Sequence, residues 1–126
     1  MGAVDTNVLV RLLTRDDTRQ LESAQAFVRQ GVWVSTLALA EAVWVLRTVY
    51  RRSPGELADL IEVLLDQEEL VLQDSEAVSA ALGIFRVRPS LGFSDCLMLA
   101  LAREHGCLPL GTFDGGLAKL EGTRKL

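Results

Sequence analysis

Short apolar runs alternate with longer amphipathic stretches along the chain, and this pattern predicts strands that alternate with helices. Three of the runs, Ala3–Val4, Val32–Val34 and Leu70–Leu72, are typical of buried strands. A fourth, Cys107–Leu110, is interrupted by a proline and predicts an irregular strand. We therefore expect a single α/β domain over residues 1–126, with a central, mainly parallel sheet of four to five strands flanked by helices.

Helical periodicity together with capping residues predicts six helices between and after these strands. Asp5-Thr6-Asn7 favours the start of the first helix, Gly31 ends the second, and Ser53-Pro54-Gly55-Glu56 is a capping box before the fourth. The expected helices follow Asn7, run from Thr18 to Arg29 and from Leu37 to about Arg51, follow Ser53 and Asp74, and run from Ser94 or Asp95 to about Glu104. The sequence after Leu120 is polar and predicts a tail.

The composition of the chain bears on which surfaces are buried and on whether the protein binds nucleic acid. Apolar residues make up 49% of the 126 residues, which is rich for a monomer of this size. Either both faces of the sheet are covered, or some apolar surface meets a partner. The net charge of −4 argues against the broad basic surface of a typical nucleic-acid binder. Two arginine clusters, Arg47–Arg52 and Arg86–Arg88, are either solvated helix surface or phosphate contacts.

The cysteines and the start of the chain indicate a cellular compartment. Cys96 and Cys107 lack the spacing of a disulfide framework or a zinc site, so we expect buried free thiols in a reducing cytosol. The chain shows no signal peptide, and its longest apolar stretch, which contains Glu41, is too short to span a membrane. We expect a cytoplasmic protein.

Two acidic residues stand among apolar helix neighbours. Glu41 is flanked at helical spacing by Leu37, Trp44 and Val45, which places it on an apolar stripe. An unpaired buried carboxylate is costly, so Glu41 predicts either a buried salt bridge to an arginine or a functional site. Asp95 has similar neighbours and is either a helix cap or a functional residue.

Joint placement distinguishes four carboxylates from the other acids. Asp5 follows the first strand, Asp114 follows the last, Glu41 lies within two helical turns of the second, and Asp95 starts a helix. In a parallel sheet such residues meet at the carboxyl edge, where four acids repel one another unless cations neutralise them. The single histidine, His105, lies at a helix end, so an all-oxygen site for Mg²⁺ or Mn²⁺ and phosphodiester hydrolysis are expected.

Four short motifs occur in order along the chain and allow comparison with a known family. They are Val4–Leu9, Leu39–Glu41, Phe93–Asp95 and Thr112–Asp114. Together they resemble the PIN-domain nucleases, most closely the VapC-type ribonuclease toxins of toxin–antitoxin pairs. The resemblance covers nearly the whole chain. It implies RNA cleavage dependent on Mg²⁺ or Mn²⁺, a homodimer, and inhibition by a cognate antitoxin protein. Many members carry a further acid where this chain has Gly92, which bears on metal affinity and on a second metal.

Roles follow from this hypothesis. Asp5, Asp95 and Asp114 would be direct or water-mediated metal ligands, and Glu41 would hold a metal and orient or deprotonate the attacking water. Asn7 and Thr112 would support the carboxylates, or serve only as cap and turn residues. Four arginines are expected to contact the RNA backbone: Arg11, Arg47, Arg51 and Arg86.

Three alternatives remain. A non-catalytic PIN-like module would bind RNA or protein and keep the acids as a structural cluster. A phosphohydrolase of the haloacid-dehalogenase kind also begins with a strand that ends in Asp, but it requires a second Asp where Asn7 stands. A response-regulator receiver would need paired acids near the start and a late lysine after a strand, and neither is evident.

Overall fold

Five short strands form two parallel sheets in the structure, a computed structural model that describes residues 1–126. The chain divides into two compact units, Met1–Ser75 and Glu76–Leu126. Strands alternate with six α-helices, so the predicted α/β class, the parallel strand direction and the number of strands are confirmed. The strands divide between two sheets where one central sheet was expected: β1 to β3 pair in one sheet, and β4 pairs with β5 in another.

The first unit contains three strands and four helices. Its elements are β1 (Gly2–Ala3), α1 (Thr6–Thr14), α2 (Thr18–Val28), β2 (Val32–Val34), α3 (Thr36–Thr48), α4 (Pro54–Asp66) and β3 (Leu70–Leu72). Strands β2 and β3 have the predicted bounds, whereas β1 lies one residue earlier than predicted. Val4 nevertheless continues the pairing, since its N–H donates to the carbonyl of Trp33 at 3.3 Å.

The strands of the first sheet bury alternate side chains. Val32 and Val34 are almost fully buried, while Trp33 between them is 40% exposed. Val71 pairs with Trp33 in register and is 44% exposed. Neighbouring residues in register share a face of the sheet. The apolar excess of the sequence is therefore explained in part by uncovered surface, and not by burial of both sheet faces.

Capping residues start the helices of the first unit as their sequences indicate. The Asp5 carboxylate accepts a hydrogen bond from the Val8 N–H at 3.1 Å at the start of α1. The capping box predicted before α4 is present, with Ser53 and Glu56 each bonding the other's backbone. Helix α3 ends at Thr48, earlier than predicted, and the chain beyond it includes Arg51 in the left-handed region with φ 53°. Helix α1 packs against α2 and α3, and α3 against α4.

The second unit contains two α-helices, a 3₁₀ turn and two strands. Its elements are α5 (Ser75–Val87), which begins at the unit boundary, α6 (Phe93–Glu104), β4 (Leu110–Thr112), a 3₁₀ turn (Leu117–Lys119) and β5 (Thr123–Lys125). One face of α5 is buried, from Ala77 to Phe85. Phe85 meets Phe93 edge to face with 5.9 Å between ring centroids, an arrangement that aromatic pairs prefer.

Three boundaries in the second unit differ from prediction. Strand β4 begins after Pro109 and not at Cys107, because proline has no N–H to donate to a neighbouring strand. The polar tail contains β5, whose backbone pairs with β4 although its side chains are polar. Helix α6 begins at Phe93 with Gly92 as its N-cap, so neither Ser94 nor Asp95 caps it.

Both cysteines are free thiols, as predicted, but only Cys96 is buried. Cys107 is exposed, because it lies in the connection after α6 and not within a buried strand. None of the six helices combines the length and hydropathy that crossing a bilayer requires.

Candidate active site

Glu41 of α3 is joined to the start of α1 by a side-chain hydrogen bond. The Thr6 hydroxyl donates to Oε2 of Glu41 at 2.8 Å, across 35 residues of sequence. Thr6 directly follows Asp5, so the packing of α1 on α3 holds two of the four candidate acids on either side of one threonine. Thr6 therefore links Glu41 to the start of the helix that Asp5 caps, within the first unit.

The surroundings of Glu41 differ from the expectation of a buried carboxylate. Glu41 is exposed, and so are Leu37 and Trp44 on the same face of α3. The apolar stripe of this helix is a surface feature, because the buried residues of α3 lie on another face. Glu41 forms no ion pair, which rules out the alternative of a buried salt bridge to an arginine.

Asp5 is held by the helix that it caps. One oxygen, Oδ1, accepts the Val8 N–H, as described above, and the residue itself is exposed. The cap occupies one carboxylate oxygen and leaves Oδ2 without a hydrogen bond. A capping role and a ligand role for Asp5 are thus compatible.

Asp114 lies in the turn after β4, and its backbone and side chain are both held there. The Asp114 N–H donates to the Thr112 hydroxyl at 3.0 Å. Oδ1 of Asp114 accepts the N–H of Gly116 at 2.8 Å and that of Leu117 at 3.4 Å. These contacts fix the rotamer and leave Oδ2 without a hydrogen bond. Thr112 therefore has the contact expected of a residue that supports the Asp114 loop.

Asp95 lies in the first turn of α6, half-buried, where the partial positive charge of a helix N-terminus favours a carboxylate. Its carboxylate forms no hydrogen bond and no ion pair, which leaves both oxygens open. Burial raises the pKa of the neighbouring Cys96 thiol to about 11, and the charge of Asp95 adds to the rise. Cys96 is therefore a neutral thiol at physiological pH and is not a nucleophile.

The structure brings together some of the predicted residues. Glu41 contacts Thr6, the residue after Asp5, in the first unit, while Asp95 and Asp114 belong to the second. Within neither unit do three Asp, Glu, His or Cys side chains form a group that could hold a metal ion. Convergence of all four carboxylates stays a prediction.

The chemistry of the four side chains nevertheless fits a divalent cation. Each carboxylate keeps at least one oxygen without a hydrogen bond, and none is neutralised by an arginine or lysine. All are oxygen donors, the ligands that Mg²⁺ and Mn²⁺ prefer. His105 ends α6 as its C-cap residue, in agreement with its predicted place at a helix end.

Arg11, one of the residues predicted to contact RNA, has three side-chain partners in the protein. Its guanidinium donates to Gln20, to Asp16 at 3.3 Å and to the Tyr50 hydroxyl at 3.0 Å. The hydrogen bond that Arg11 donates to the Tyr50 hydroxyl is the main reason that the pKa of Arg11 is raised. Arg11 therefore ties α1 to the chain after α3 and to the start of α2, and this structural role competes with binding to phosphate.

The other predicted contact residues lie at the surface. Arg47 and Arg51 are exposed near the end of α3, and Arg86 is exposed in the last turn of α5. Asn7 is also exposed and forms no side-chain hydrogen bond, whereas its neighbour Thr6 contacts Glu41. Sequence reasoning missed Thr6, because the only local signal was a hydroxyl in the first turn and its partner is remote in sequence.

Comparison with known protein families finds the PIN domain over residues 3–122, which includes all four acids and parts of both units. No curated protein is similar enough in sequence to match the chain. The family match favours the PIN alternative over the haloacid-dehalogenase and receiver alternatives.

Proposed function

The chain belongs to the PIN-domain family, and from this premise we propose that it is a metal-dependent endoribonuclease that hydrolyses RNA phosphodiester bonds. PIN domains are generally metal-dependent nucleases. The structural observation that supports the proposal is the hydrogen bond from Thr6 to Glu41. Thr6 directly follows Asp5, so this bond orients the exposed Glu41 carboxylate next to the start of α1.

Asp5, Asp95 and Asp114 hold the cation in this proposal, each through an oxygen that the protein leaves open. Glu41 also holds it, and orients or deprotonates the attacking water. A bound Mg²⁺ or Mn²⁺ supplies positive charge that lowers the pKa of that water and stabilises the scissile phosphate and the leaving oxygen. Thr112 keeps the Asp114 loop in place, and Thr6 keeps the Glu41 carboxylate in place.

Asp5→Asn is the decisive variant. We expect the purified parent protein to cleave structured RNA with Mn²⁺ or Mg²⁺, and we expect Asp5→Asn to abolish cleavage, because the amide carries no negative charge for a cation. Gel analysis of a labelled RNA measures the cleavage, and circular dichroism checks the fold.

Asp17→Asn is the matched control. Asp17 caps α2 through the Gln20 N–H at 3.0 Å, just as Asp5 caps α1, so both changes remove the charge of a cap and keep an oxygen that accepts the N–H. Only Asp5→Asn should lose cleavage. Cleavage that persists in excess EDTA contradicts the metal role. A parent that binds RNA but does not cleave it, together with normal binding by Asp5→Asn, favours the non-catalytic module.

The biological setting is a further part of the proposal. We propose that the protein is the toxin of a VapC-type toxin–antitoxin pair, that it acts in the cytoplasm as a homodimer, and that a cognate antitoxin protein inhibits it. The uncovered apolar residues of the sheet, Trp33 and Val71, are consistent with a protein partner. A short reading frame for a DNA-binding protein next to this gene, whose product co-purifies with the chain and suppresses cleavage, would support the assignment.

A further inference from the structure

Two of the exposed aromatic side chains lie next to candidate catalytic acids. Trp44 is 58% exposed and follows Glu41 by three residues on α3, which is about 4.5 Å along the helix axis. Phe113 is 80% exposed and directly precedes Asp114. Both placements hold within a single unit of the structure, and each follows from sequence neighbourhood on one element.

Each aromatic also has a basic side chain near it. Arg47 follows Trp44 by three residues on α3, so the two side chains are neighbours on the helix surface. Lys125 of β5 pairs in register with Thr112, and its ammonium nitrogen lies beside Gly115, 3.6 Å from where a Cβ would be. Neither cation forms an ion pair.

We infer that Trp44 and Phe113 bind the RNA by stacking on unpaired bases, and that they thereby set which phosphodiester bond reaches the carboxylates. The inference rests on the proposed ribonuclease function and deepens it. An aromatic ring near a candidate cation ligand and an unpaired basic side chain suits one nucleotide, which offers a flat base and a phosphate.

A protein partner fits these two places less well than a nucleotide does. An apolar protein surface laid on Trp44 would also cover Glu41 and Arg47, and burying those charges without partners is costly. A nucleotide instead supplies a phosphate for the basic side chain and leaves the carboxylate for the cation. It follows that the bases at the cleaved bond must be unstacked from the RNA's own helix.

The test combines alanine variants with removal of single bases from a short RNA. Trp44→Ala and Phe113→Ala should each lower kcat/KM about tenfold, because the stacking surface is lost. Trp44→Phe and Phe113→Tyr keep an aromatic ring and should stay within about threefold of the parent. Replacing one base near the cleaved bond with an abasic nucleotide should lower kcat/KM of the parent about tenfold. The same replacement should not lower kcat/KM of the matching alanine variant further, because the effects of removing two groups that contact each other do not add.

Two substitutions serve as controls. Leu37→Ala removes an apolar side chain that is 68% exposed on the same face of α3, on the other side of Glu41. Phe27→Ala removes an aromatic side chain that is 53% exposed on α2, away from the candidate acids in sequence. Both should leave kcat/KM and the effect of abasic nucleotides unchanged.

A binding measurement separates the inference from cleavage itself. The chain has two tryptophans, so Trp33→Phe leaves Trp44 as the sole reporter of tryptophan fluorescence. In the inactive Asp5→Asn background, the same single-stranded oligonucleotide should quench that fluorescence, and the equivalent RNA duplex should not. If the parent cleaves no RNA, the ribonuclease proposal is wrong. The quenching measurement still shows whether a base stacks on Trp44.

Several outcomes overturn the inference. The first is that Trp44→Ala and Phe113→Ala cleave RNA as well as the parent does. The second is that an abasic nucleotide lowers kcat/KM of the alanine variants by the same factor as it lowers that of the parent. A third is a change confined to the molecular mass in solution, measured by light scattering, which would mean that Trp44 or Phe113 contacts another copy of the protein.

Discussion

The Thr6 hydroxyl reaches Glu41 from the position directly after Asp5, a contact across 35 residues that no local sequence pattern predicts. The bond occupies one carboxylate oxygen and so limits the rotamers available to Glu41. A carboxylate held in one orientation loses less entropy when it binds a cation or a water. Thr6 is therefore a positioning residue in the proposed site, acting through Glu41.

Thr6→Val removes the hydroxyl while keeping the shape of the side chain. We expect cleavage to fall about 10- to 100-fold and the Mn²⁺ concentration for half-maximal rate to rise, as for other residues that orient ligands. Thr6→Ser, which restores the donor, should recover most of the activity. Equal activities in all three proteins, at equal Mn²⁺ requirement, would remove Thr6 from the site. Initial rates across a Mn²⁺ titration provide the measurement.

At the scale of single elements, the helices are started by side chains that accept the first free N–H groups. The capping box of α4 is the most complete case, with hydrogen bonds of 2.9 and 3.2 Å between Ser53 and Glu56. The bond from the Ser53 N–H holds the pKa of the Glu56 carboxyl below its usual value. Because the hydrogen bond favours the charged form of Glu56 in the folded protein, it contributes to folding stability near neutral pH. That contribution is lost as the pH falls and the carboxylate is protonated.

Ser53→Ala should lower the free energy of unfolding by about 1 kcal/mol at pH 7, because one N–H of α4 loses its acceptor. Denaturant unfolding followed by circular dichroism measures this loss.

Glu56→Gln tests the pH dependence of the same cap. The amide can still accept the Ser53 N–H but does not titrate, so the difference in stability between parent and variant should shrink as pH falls below about 4.5. A difference that is constant from pH 7 to pH 3 would contradict a role for the Glu56 charge.

Across the whole molecule, charge is the property that the proposed function uses most directly. The net charge is −4, and four of the acids are assigned to one cation site in the proposal. Carboxylates near one another destabilise a fold unless a cation neutralises them. Binding of a divalent cation should therefore be coupled to folding stability.

Metal addition and removal test that coupling. At a Mn²⁺ concentration 100-fold above its Kd, the folded protein should gain about 2.7 kcal/mol of stability, and excess EDTA should remove the gain. The melting temperature of the parent should rise with Mn²⁺, while that of Asp5→Asn should rise less. Asp17→Asn should behave as the parent, since Asp17 is outside the site. A rise of equal size in all three proteins would indicate non-specific binding.

The predictions that succeeded concern features encoded within a few residues. Strands β2 and β3 were predicted to the residue, as was the capping box of α4, and Gly31 follows α2 with a positive φ. Strand alternation and capping depend on neighbours close in sequence, and a local pattern is enough to reveal them.

The failures concern partners that are distant in sequence. β5 lies in a polar segment and becomes a strand because its backbone pairs with β4. Glu41 carries an apolar helix pattern yet is exposed, because the packing of α3 buries a different face of the helix. The hydrophobic periodicity of one segment does not indicate which other segment will pack against it.

The amino-acid sequence by itself therefore determined the order of the six helices and of the first four strands, the capping box of α4, and the four acids in their motifs. Only the tertiary structure decided that the strands divide between two sheets, that Glu41 is exposed, and that Thr6 is the residue holding it. The physical reason is range: a turn or a cap is stabilised by atoms a few residues away, whereas pairing and burial depend on segments that meet only when the chain folds.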